Sequence, residues 1–115
     1  QKPKKAMIPE AIFIYTTFVN IEEAKKISAA LVDQKLIACA NLMGPHTAIY
    51  RWDEKIISSE EIPALLKTRR DLFEKVRKAI CSMHSYECPC VAAIPIPQGH
   101  APYMKWIADN TLKVL

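Results

Sequence analysis

Ala11-Ile12-Phe13-Ile14-Tyr15-Thr16-Thr17-Phe18, followed by Asn20-Ile21-Glu22-Glu23-Ala24, decides the fold. The first eight residues are β-branched or aromatic at odd and even positions alike, as in a strand covered on both faces. Asn20 then stands as an N-cap with Glu23 in capping-box position, and Ile21, Ala24, Ile27 and Leu31 form one apolar helical stripe. Glu22 and Lys26 pair on the opposite face.

Working outward, residues 37–42 and 47–52 read as one long strand bent at Met43-Gly44-Pro45-His46. A third strand is expected over residues 61–68, with Pro63 placing its beginning at an edge or bulge. Asp71 and Glu74 repeat the capping pattern ahead of a second helix striped by Leu72, Val76, Ile80 and Met83. Residues 91–96 form a short strand, and Pro102 opens a third helix carrying Tyr103, Trp106 and Ile107. The order βαββαβ plus a helix is an α+β, ferredoxin-like sandwich with a long bent second strand and an added C-terminal helix.

Two crossover helices cover one side of such a sheet, yet the strands are apolar on both. Self-association is therefore expected, because a C-terminal helix of about three turns covers only part of the remaining face.

At 115 residues the chain is one domain, expected to span residues 10–115 behind a flexible segment 1–9. Half its residues are hydrophobic and 24% charged, which excludes disorder for all but the first few. A net charge of +4, scattered over helix faces and the Lys2–Lys5 end, gives no nucleic-acid footprint. No apolar run approaches the roughly 18 residues that span a bilayer. Lys4 and Lys5 precede apolar residues, but Pro9 and Glu10 interrupt the run before any cleavage-like site. Gln1 in place of Met is consistent with removal of a preceding segment. Four cysteines, Cys39, Cys81, Cys88 and Cys90, are too few and too irregular for a disulfide framework, so reduced thiols in the cytoplasm are the simpler reading.

The richest chemistry lies in His84-Ser85-Tyr86-Glu87-Cys88-Pro89-Cys90. Thiolate and imidazole favour copper and zinc, while carboxylate suits harder cations. His84, Glu87, Cys88 and Cys90 are accordingly the candidate ligands for Cu(II) or another divalent metal. Cys88 and Cys90 project to one side if the chain is extended, although free cysteine is commonly a small buried hydrophobe. Cys39 and Cys81 read as packing.

Ala38-Cys39-Ala40-Asn41-Leu42, Tyr50-Arg51-Trp52 with Lys55-Ile56, Lys67-Thr68, His84-Ser85-Tyr86-Glu87 and Pro102-Tyr103 with Trp106 resemble, in order and spacing, the CutA divalent-ion-tolerance family. The resemblance implies a ferredoxin-like fold, a homotrimer joined by strand pairing and a role in tolerance of copper and other divalent metals. It also exposes departures. Ser85, Glu54 and Cys90 stand where the family usually has Pro, Gly and a carboxylate. The copper ligands proposed for bacterial members are a cysteine late in the first strand and two adjacent histidines. Thr16 and Met83 occupy two of those positions here, so only His84 carries over.

Lys67, Arg69, Tyr86, Tyr103 and Trp106 are candidates for a cleft between subunits, with the same aromatics sealing an interface as the competing reading. Tyr50 and Trp52 are expected to pack on a neighbouring strand, His46 and His100 to lie in solvated loops, and Asn41 to be a buried, paired amide.

No P-loop, dinucleotide fingerprint, HExxH pair or nucleophile elbow occurs, so catalysis is not expected. Two function classes remain: a metal-binding or metal-tolerance protein, and a trimeric PII-like module responding to a small ligand. RNA binding lacks the aromatic RNP1 pattern.

Overall fold

The computed structural model describes residues 9–113, so the segment 1–8 of the expected flexible end lies outside the described residues. Five strands and three α-helices follow one another as β1 (Ala11–Phe18), α1 (Ile21–Asp33), β2 (Cys39–Leu42), β3 (His46–Trp52), β4 (Lys55–Arg69), α2 (Phe73–Met83), β5 (Val91–Pro95) and α3 (Ala101–Asp109), with a 3-10 turn over Arg70–Leu72. The sheet is antiparallel in the order β2-β4-β1-β5, and β3 pairs with β4 beyond the end of β2. This is the ferredoxin-like order, its second strand divided into β2 and β3.

Alternation along β1 and β4 separates the two faces. Ile12, Ile14, Phe18, Ile62, Ala64 and Leu66 point toward α1 and α2, where they bury Ala24, Ile27, Leu31, Val76 and Ile80 in one core. The opposite face carries Phe13, Tyr15 and Thr17 from β1 with Glu61, Leu65 and Lys67 from β4. α3 reaches this second face through Tyr103, whose ring lies 5.3 Å from Lys67 Nζ.

The third strand begins at Lys55, six residues before the expected Glu61, and Pro63 lies inside it. The proline is tolerated because the N–H and C=O of one strand residue point to the same side. Pro63 accepts from Met43 N at 2.9 Å, so its missing N–H faces the break between β2 and β3, where no ladder partner waits. The polar run Ser58-Ser59-Glu60 conceals the strand because that part pairs only with β3, in a two-stranded arm.

Local signals explain the helix ends. Asn20 Oδ1 accepts from Glu23 N at 2.8 Å, as an N-cap should. Glu23 does not return the bond, since its carboxylate holds Ser85 instead. α1 closes in a Schellman turn, with Lys35 N bonded to Val32 O and Leu36 N to Leu31 O, and Lys35 takes φ 57° where glycine is favoured. Asp71 does not cap α2: its carboxylate receives Arg69 Nε and Nη2, each at 2.9 Å.

Candidate functional site

The open face of the sheet, the β3–β4 arm and the segment after α2 enclose a cleft of about 690 Å³. Tyr15 and Thr17 form its floor, His46, Ile49 and Trp52 one wall, and Tyr86, Glu87, Cys88 and Cys90 the other, with Glu61 at the base.

Glu61 is the residue that the sequence reading did not single out. It is 9% exposed, and its carboxylate meets Thr17 Oγ1 at 3.4 Å and His46 Nε2 at 3.5 Å, with the Tyr86 phenol also beside it. A carboxylate so enclosed favours an approaching cation or donor. His46 belongs to β3 and faces this carboxylate, contrary to the expected solvated loop. Burial first, and the nearby Glu61 carboxylate second, push the Tyr86 phenol well above its ordinary pKa. Tyr15 is raised too, by burial and then by Cys90 and Glu61.

Register fixes the thiols. Thr16 lies opposite Val91 in the β1–β5 ladder, so Cys90, one residue earlier, falls on the open face with Tyr15 and Thr17. Cys90 is exposed overall, yet desolvation leads the causes that raise its thiol pKa, followed by Glu61 and Cys88. Cys88 is exposed and lines the same cleft.

His84, an expected ligand, is placed here as a tether. Its Nε2 bonds the Thr17 carbonyl at 2.8 Å, and its Nδ1 accepts Tyr86 N at 3.0 Å, so both ring nitrogens are occupied and the ring carries its proton on Nε2. The imidazole also stacks on Phe18, with ring centroids 5.4 Å apart. Glu23 secures the next residue through Ser85 N at 2.8 Å and Ser85 Oγ at 2.9 Å. Proline at that position has no N–H to offer, which gives Ser85 a structural reason. Thr16 is fully buried on the helix-facing side of β1, so its side chain and the thiols occupy opposite faces. Among the described residues, no three His, Cys, Asp or Glu side chains converge as a metal cage.

The other expected cleft residues divide. Lys67, Tyr103 and Trp106 meet at the α3 end of the face, where the two rings stack at 5.8 Å. Lys67 stands six residues along β4 from Glu61, about 20 Å at strand spacing, so one chain does not unite Lys67 with Tyr86. Arg69 is not a cleft residue. It is 4% exposed, binding Asp71, Thr111 and the Leu112 carbonyl to anchor the chain after α3. Asn41 is exposed, its amide reaching only Cys39 Sγ at 3.8 Å, so the expected buried pairing does not form. Tyr50 and Trp52 are both half-exposed on the arm.

The sequence model of the CutA1 divalent ion tolerance protein family matches residues 12–110. The chain belongs to the CutA1 family. The Pyrococcus horikoshii divalent-cation tolerance protein CutA is 40% identical over 102 residues, spanning 89% of this chain and 99% of its own length. The human protein CutA is 36% identical over 100 residues, covering 87% of this chain and 56% of its own. Among solved structures, the periplasmic divalent cation tolerance protein CutA from Archaeoglobus fulgidus superposes with a TM-score of 0.85 at 38% identity, over 87% of this chain and 97% of that one. Oryza sativa CutA1 superposes with a TM-score of 0.90 at 28% identity, over 93% and 98% respectively.

Proposed function

We propose that this CutA1 chain is a non-enzymatic, homotrimeric metal-tolerance protein that takes up copper or another divalent cation in the cleft over Glu61, in the reducing cytoplasm. The observation that carries the reading is one recess holding a buried carboxylate and two thiols, in a protein of a divalent-ion-tolerance family. Glu61 supplies charge, Cys88 and Cys90 supply soft donors, and Tyr15 and Tyr86 shape the walls. His84 holds the Tyr86 segment in position and stays outside the donor set.

Self-association draws support from the exposed apolar surface. Ile49 and Ile56 on the arm are 73% and 72% exposed, and Ile94 on β5 and Trp106 on α3 remain half-exposed. These residues lie on the arm, on the edge strand and at the α3 end, a distribution suited to three copies that each receive another's arm.

Equilibrium dialysis of the reduced protein against Zn(II) and Co(II), which leave thiols unoxidised, and then Cu(II), tests the function. Retention of at least one ion per chain, lost in a Cys88→Ser/Cys90→Ser/Glu61→Gln variant, is the expected result. Undiminished retention in that variant removes the cleft from the role.

A further inference from the structure

Among the described residues, the two thiols of Cys88-Pro89-Cys90 line the cleft without a hydrogen-bond partner, and the donors around them are few. We propose that this pair forms a two-coordinate site for a soft monovalent cation, Cu(I), in preference to a cage for a harder divalent ion. The proposal rests on reading the chain as a metal-handling protein and names the ion its own residues suit.

Donor number decides against the alternatives. Zinc is normally held by four ligands and calcium by six to eight oxygens. No three candidate ligands converge among the described residues. His84 has both nitrogens committed, and Glu61 is a hard oxygen donor at the cleft base. A d10 monovalent ion is satisfied by two thiolates in a near-linear arrangement, and thiolate softness selects it.

Local geometry supports the pairing. The strand register sets Cys90 on the open face, and Cys88 lines the same cleft two residues earlier. Pro89 fixes one backbone torsion between them and biases Cys88 toward extended conformations, so little chain entropy remains to be lost on chelation. Tyr15, Ile49 and Trp52 give the cleft apolar surface, and Glu61 draws a cation inward without joining its coordination sphere. On binding, two S–H bonds break, two S–Cu bonds form and two protons leave to solvent. Copper arrives and stays as Cu(I), so no electron is transferred.

The test is an anaerobic Cu(I) titration of the reduced full chain against a chromogenic Cu(I) chelator, with X-ray absorption of the loaded protein. Wild type is expected to take one Cu(I) per chain through two sulfurs. Cys88→Ser and Cys90→Ser should each lose more than the ~10–100-fold that removal of an outer-shell partner costs. A Cys39→Ser/Cys81→Ser variant should bind as wild type does, and circular dichroism checks that every variant is folded. Wild-type affinity in Cys88→Ser/Cys90→Ser, or a shell containing nitrogen or oxygen, overturns the site. Tight Zn(II) uptake that Cu(I) fails to displace overturns it while leaving the metal-tolerance reading intact; no uptake of any metal overturns both.

Discussion

Thr16 carries a hydroxyl with no hydrogen-bond partner among the described residues, at a position that is 0% exposed. Valine has nearly the same shape and removes the unpaired group, so Thr16→Val is expected to raise stability by about 1–2 kcal/mol in urea denaturation. Arg69 poses the opposite case, a buried guanidinium whose strongest partner is Asp71. Asp71→Asn should cost about 1–3 kcal/mol at pH 7. The hydrogen bond from Arg69 is the chief cause holding the Asp71 carboxyl below its usual range. Its stabilisation is therefore present above the ordinary aspartate pKa of about 3.9 and is lost as pH falls through the lower folded value. Denaturation curves of wild type and Asp71→Asn should converge on acidification from about pH 4 downward; a gap independent of pH would refute this pairing as its source. Such side chains also mark how far the sequence could be read. Cys88 and Cys90 could be placed together because residues two apart share a face in extended chain, and both line the cleft. Glu61 could not be placed with them, since its burial depends on His46 and Thr17, which strand pairing brings in from 15 and 44 residues away.

β3 and β4 meet in a two-residue turn, Asp53-Glu54, with φ of 48° and 63°. Both values lie in the left-handed region that a type I′ hairpin requires and that side chains with a Cβ resist by roughly 1–2 kcal/mol each. Glu54→Gly relieves one such cost but adds freedom to the unfolded chain. A net gain of about 0.5–1 kcal/mol in thermal or urea unfolding is expected, and a loss would mean that the Glu54 side chain has a role of its own. At this scale, elements facing the core announced themselves: the β1 run and the stripes of α1 and α2 are buried as their periodicity required. The arm half of β4 did not. Pairing only with β3, it had no buried face of its own to impose alternation, and its serines and glutamates gave no strand signal. Asp71 misled for another reason, because a side chain able to cap a helix was captured by a stronger partner at close range.

The described residues measure 63 × 26 × 25 Å, a length to which the projecting arm contributes. A two-stranded ribbon is marginal by itself in water, and this one carries Ile49 and Ile56 more than two-thirds exposed. Charged residues commonly protect free strand edges and faces, yet here large apolar side chains occupy them. The arm thus has the character of a surface completed by another copy, as the proposed trimer would do. Sedimentation equilibrium of the wild-type chain at micromolar concentration is expected to give a single species near three times the chain mass of 13.0 kDa. An Ile49→Lys/Ile56→Lys variant leaves the α1–α2 core untouched, because neither residue belongs to it. It should retain the far-UV spectrum of the fold while dissociating toward monomer, since each lysine places a charge where apolar contact is needed. A wild-type chain that sediments as a folded monomer would contradict assembly through this surface. A variant that remains fully associated would instead locate the contact elsewhere on the open face, around Ile94 and Trp106.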